Sequence, residues 1–102
     1  MIVDIKNSTR DNKRFVVTMD DGKEYHFGWK GAYTYLDGAS RKIREAYRAR
    51  HYGNAIERRL IDNLTPSSAL MSWHLIWGPS RDIYKNISYL NKLWREKHAE
   101  KK

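Results

Sequence analysis

The stretch Leu70-Met71-Ser72-Trp73-His74-Leu75-Ile76-Trp77 constrains the fold most, because it is the most apolar run in the chain. At helical spacing Leu70, Trp73, His74 and Trp77 share one face, and Met71, Leu75 and Ile76 cover most of the rest. A helix that is apolar nearly all round leaves no side for water and has to be buried. Thr65 as cap, Pro66 at the first helical position and Gly78-Pro79 as the stop predict a helix over 66–77. The other elements are expected to assemble around this hub.

Upstream, Ile2 to Ile5 reads as a short strand, and Lys6 to Lys13 as a polar connection. Arg14 to Met19 is rich in β-branched and aromatic residues, and Asp20-Asp21-Gly22 supplies a hairpin turn into Lys23 to Gly28. Alternation puts Phe15, Val17 and Met19 on one face, with Tyr25 and Phe27 on one face of the returning arm. So small a sheet needs a cover, which the helices must supply. Gly28 to Gly38 has three glycines, four large side chains and no period, and reads as an ordered loop.

Ser40 to Tyr52 is expected to be a helix capped by Asp37 or Ser40 and stopped at Gly53, with Ile43, Ala46 and Tyr47 as its apolar stripe. Asn54, with Glu57 three positions on, restarts the chain in a helix that buries Ile56, Leu60, Ile61 and Leu64. Ser80 caps a last helix with Asp82 in its first turn and the stripe Ile83, Ile87, Leu90 and Trp94. The reading is thus an α+β fold: an antiparallel hairpin or three-stranded sheet over about 2–28, packed against helices at about 40–52, 55–64, 66–77 and 81–98. All 102 residues form a single small basic domain.

Charge is segregated along this chain. Residues 1–39 hold six Lys/Arg and six Asp/Glu, whereas residues 40–102 hold fourteen and six, so the whole net charge of +8 lies in the second part. Between Arg41 and Arg59 there are seven cations, namely Arg41, Lys42, Arg44, Arg48, Arg50, Arg58 and Arg59, against Glu45 and Glu57. Such a cluster points to an acidic protein surface or a polyanion as partner, since the planar fork of arginine suits carboxylate and phosphate alike. Trp29, Tyr33 and Tyr35 are candidate aromatic contacts beside it.

His26-Phe27-Gly28, a Tyr/Asp-containing loop, Tyr47-Arg48-Ala49-Arg50-His51 and Ser72-Trp73-His74-Leu75-Ile76-Trp77-Gly78-Pro79-Ser80 occur in that order. From about Arg14 to Trp94 this arrangement resembles a family of small proteins of nucleocytoplasmic large DNA viruses. The resemblance implies a viral origin and an α+β fold, and carries no catalytic residues with it.

Enzymatic chemistry has little to stand on in these residues. Absence of cysteine removes disulfides, thiolate metal sites and cysteine nucleophiles. The acidic residues fall in turns and at helix ends, and His26, His51, His74 and His98 lack the short spacing of a local zinc motif, although His26 and His51 could meet in space. No cofactor, metal or small-molecule substrate is expected. A small nuclease is the remote alternative.

Two binding roles remain. The first is a minor capsid or inner-layer component of the virion, binding acidic neighbours through the arginine-rich face. The second is sequence-independent binding of DNA or RNA through the same face. No membrane span and no apolar signal region are found, so the expected location is the virion or the infected-cell cytoplasm or nucleus, without secretion.

Overall fold

The computed structural model describes residues 1–100, with side chains up to His98. Three antiparallel strands, β1 (Ile2–Asn7), β2 (Lys13–Met19) and β3 (Glu24–Trp29), form a sheet in the order β1-β2-β3. Asp20 to Lys23 turns β2 into β3 with Gly22 at φ +85°, a conformation that a side chain resists. Ile5 pairs with Val17, and Val17 with Tyr25. Val17, Met19 and Phe27 are buried on the face that meets the helices, as the alternation requires. The Phe15 and Phe27 rings, paired across the strands, lie 5.7 Å apart.

Helices follow the sheet, which makes the fold α+β. After a short 3₁₀ turn at Tyr35–Asp37 come α1 (Arg41–Tyr52), α2 (Ala55–Asp62), α3 (Ser68–Met71) and α4 (Ile83–Glu100). Ser40 caps α1 by accepting from the Ile43 amide, and Asn54 caps α2 through the amides of Ile56 and Glu57.

The hub is buried as expected but is not one α-helix. A single α-turn passes at Ser72 into a π-helical segment, Ser72–Ile76, closed by a bond from the Trp77 amide to the Ser72 carbonyl. Its start also moves. Leu64 takes a left-handed φ of 53° and Pro66 disfavours helix at Thr65, so Ser67 rather than Thr65 becomes the cap, accepting from Leu70. Leu70, Met71, Leu75, Ile76 and Trp77 lie in the core with Leu90 and Trp94 of α4. Burial of each such side chain contributes roughly 1.5–3 kcal/mol.

α4 departs from expectation at its start and in its stripe. Asp82, not Ser80, accepts the amides of Tyr84 and Lys85, while the Ser80 hydroxyl accepts from Asp82. The inward side of α4 also carries Asn86, which is completely buried. Its amide donates to the carbonyls of Leu75 (2.9 Å) and Ser80 (2.8 Å) and accepts from the Ser80 amide (3.0 Å). One side chain therefore satisfies the backbone that the π-turn and Gly78-Pro79 would otherwise leave unpaired.

α1 corrects the expected stripe. It has no buried residue; Ile43 and Ala46 are exposed, and Arg44, Tyr47, Arg48 and His51 take the inner side. In α2, Ile61 is buried and Leu60 partly so, whereas Ile56 faces solvent.

Candidate functional site

The roll of α1 follows from where the hub ends. Helix C-termini leave carbonyl oxygens without donors, and Pro79 has no N–H to offer them. Arg48 donates to the carbonyls of Trp73 (2.9 Å) and Trp77 (2.7 Å), and Arg44 donates from Nε to that of Gly78 (2.6 Å). The Arg48 guanidinium also lies 4.0 Å from the centroid of the Trp73 ring. Burial, with Arg44 nearby, lowers its pKa to about 10, still well above neutrality, so it stays a cation. Two of the seven predicted contact residues, Arg44 and Arg48, are thus engaged by the fold.

The other five, Arg41, Lys42, Arg50, Arg58 and Arg59, are exposed. Among the described residues none of the five forms a salt bridge. Ile43 (51% exposed) and Ile56 (75% exposed) stand with them on α1 and α2. Arg50 and Arg58 lie 5.9 Å from the ring centroids of Tyr47 and Tyr52, and the outer surface of this helix pair mixes cations with aliphatic side chains.

The predicted aromatic contacts divide as well. Trp29 (64%) and Tyr33 (65%) are exposed. Tyr35 is only 7% exposed, beneath Arg81 at 4.1 Å and Arg44 at 5.5 Å, so it cannot serve as a contact. Arg81 further donates to the carbonyls of Tyr35 and Ala39. In the same loop Asp37 accepts both arms of Arg14 (2.7 and 2.6 Å) and the Thr34 amide and hydroxyl. The Arg14 hydrogen bonds hold the Asp37 carboxyl far below the ordinary carboxylate range.

A cavity of about 220 Å³ lies between β3, α1, α2 and the hub. The sequence reading missed it, because its polar wall comes from His51 and Glu57, six positions apart across the helix break at Gly53. His51 Nδ1 and Glu57 Oε2 are 2.7 Å apart, so the carboxylate fixes the orientation of the ring. The His51 ring stacks on Tyr47 at 4.0 Å, and Tyr47 on Trp77 at 4.4 Å. Trp29, Trp73 and Trp77 line the remainder, with Lys13, Ser68 and Ser72 among the polar groups. A signal for it existed in the sequence, since Tyr47 and His51 are one helical turn apart and Asn54-x-x-Glu57 aims a carboxylate back toward the break.

His26 is bound to the Ser8 hydroxyl (2.6 Å) and His51 to Glu57, so these two histidines form separate pairs. Among the described residues no three His, Asp or Glu side chains converge as a metal site requires. None of the described helices is long and apolar enough to cross a membrane.

Residues 3–51 match a family described as a family of unknown function, DUF5754. That match takes in the sheet, the following loop and α1 as far as His51. An uncharacterised protein of Acanthamoeba polyphaga mimivirus, L851, is 36% identical over 78 residues, which cover 72% of this chain and 78% of that protein. No solved structure matches the chain. The chain belongs, with this mimivirus relative, to a family of viral proteins of unknown function.

Proposed function

We propose that the protein is a non-enzymatic component of the virus particle, a minor capsid or inner-layer protein, docking the outer face of α1 and α2 on an acidic surface of a neighbouring protein. The observation that carries this reading is the exposure of Ile43 and Ile56 among Arg41, Lys42, Arg50, Arg58 and Arg59. A phosphate backbone rewards only the cations. Protein interfaces combine apolar anchors with arginine, and an acidic partner also complements the +8 net charge.

Chemical cross-linking of purified particles of the encoding virus tests this. The expected result is a cross-link from Lys42 or its neighbours to a carboxylate-rich segment of another particle protein. Ile43→Ser together with Ile56→Ser is expected to remove it without lowering the melting temperature. Absence of the protein from particles would contradict the reading. So would binding to nonspecific duplex DNA that weakens with salt and ignores both isoleucine substitutions, a result that belongs to a nucleic-acid role.

A further inference from the structure

The cavity beside His51 has a composition that docking on a protein does not explain. Its volume, about 220 Å³, is below that of typical drug-sized ligand pockets, yet cavities of roughly 150 Å³ accept a benzene ring. One substituted ring is therefore the right size of occupant. Three indoles contribute to its wall, and Trp29 is exposed with the Lys13 ammonium 5.3 Å from its ring centroid.

The polar groups set the chemistry of that ring. Glu57, bonded to His51 Nδ1 through one carboxylate oxygen, keeps the second as an acceptor. Ser72 adds a hydroxyl at the wall. A carboxylate acceptor in an aromatic cavity selects a planar ring that carries an N–H donor. A quaternary ammonium would also suit indole walls and a carboxylate, but Lys13 at the wall and Arg50 over Tyr47 surround the site with positive charge. An anionic substituent on the ring is favoured instead.

A wider groove of about 640 Å³ lies near Met19, Tyr25 and Trp94. Two of its charged rim groups are engaged within the fold, Asp20 by the Met1 amino group and Lys97 by the Asn63 carbonyl.

We infer that the His51–Glu57 cavity binds an amino-bearing nucleobase, with the Glu57 carboxylate accepting from the exocyclic amine, Trp29 stacking on the ring and Lys13 meeting the attached 5′-phosphate. Cytosine fits the volume and offers the N4 amine that a carboxylate reads. The isoleucine anchors of the docking face, Ile43 and Ile56, do not line this site, nor do Arg41 and Arg59.

Equilibrium dialysis of the full chain against cytidine 5′-monophosphate tests the inference. Saturable binding of one nucleotide per chain is expected, with ribose 5-phosphate and choline each binding at least about tenfold more weakly. Glu57→Gln is expected to weaken binding by roughly tenfold or more, as loss of a charge-assisted hydrogen bond does. Trp29→Leu, at an exposed position that leaves the core intact, should weaken it by roughly tenfold through lost stacking. That second variant decides the matter if Glu57→Gln alters the fold.

A single-stranded oligocytidylate at 0.3 M salt separates two sources of the base. Tighter binding than the mononucleotide, with the same dependence on Glu57, assigns the site to strands, and equal or weaker binding assigns it to free nucleotides. No saturable binding, equal binding of ribose 5-phosphate, preferential binding of choline or indifference to Trp29→Leu would each overturn the inference.

Discussion

Arg48 and His74 show how much of this fold rests on single polar side chains in apolar surroundings. The His74 ring is buried and its Nδ1 has no hydrogen-bond partner. Burial, and then the nearby Arg48 cation, lowers its pKa to about 4, so the folded protein holds a neutral imidazole. An unfolded chain protonates the same ring near pH 6.5. The unfolded state therefore binds more protons between about pH 6.5 and pH 4, and stability falls as pH drops through that window. Urea unfolding at pH 7 and pH 4.5 should show a clear loss, of about 2 kcal/mol. His74→Phe should flatten this dependence, and an unchanged slope would remove His74 as its source. Asp37 acts lower on the scale: its depressed carboxyl supports the fold above the ordinary carboxylate range and loses that support as pH falls further.

At the scale of elements, the hub is where sequence and structure agree on burial and disagree on geometry. Its apolar circumference is visible in Leu70 to Trp77, and so are the hairpin turn at Gly22 and the cap at Ser40. The π-turn is not, because it depends on Asn86 of a later helix to satisfy the Leu75 carbonyl. Gly78 marks the same junction. A Cβ there would collide with the His74 carbonyl oxygen, whereas one at Gly22 meets open space and only the left-handed backbone opposes it. Gly78→Ala is expected to destabilise by about 3 kcal/mol or more, and Gly22→Ala by about 1–2 kcal/mol. Thermal melts of the two variants check the order, and equal losses would count against the close approach.

The face of α1 is the larger lesson. Ile43, Ala46 and Tyr47 have the spacing of an apolar stripe, but Arg44, Tyr47, Arg48 and His51 have helical spacing too. Choosing between them requires knowing that carbonyls from a distant turn await a donor, which local periodicity does not encode. The cavity is only half legible for a related reason: Tyr47 and His51 share a helical turn, but Glu57 comes to His51 from the next helix.

For the whole molecule, the sheet, α4 and the basic helix pair meet on the hub, with Trp77 between Tyr47 and the core. Trp77→Ala is expected to lose about 3–5 kcal/mol, a large part of the stability of a domain of this size, and retained thermal stability would show that the hub is not the centre of packing. The surplus charge then has two destinations. Arg44 and Arg48 close the end of the hub, and Arg41, Lys42, Arg50, Arg58 and Arg59 remain outside for a partner.

Urea denaturation of Arg48→Gln beside the double variant Arg41→Gln/Arg59→Gln tests this division most directly. Loss of two charge-assisted hydrogen bonds predicts that Arg48→Gln is destabilised by about 3 kcal/mol, a midpoint shift of roughly 1–2 M, while the double variant unfolds as the parent does. Equal midpoints for the two variants, or a larger shift in the double variant, would contradict the account.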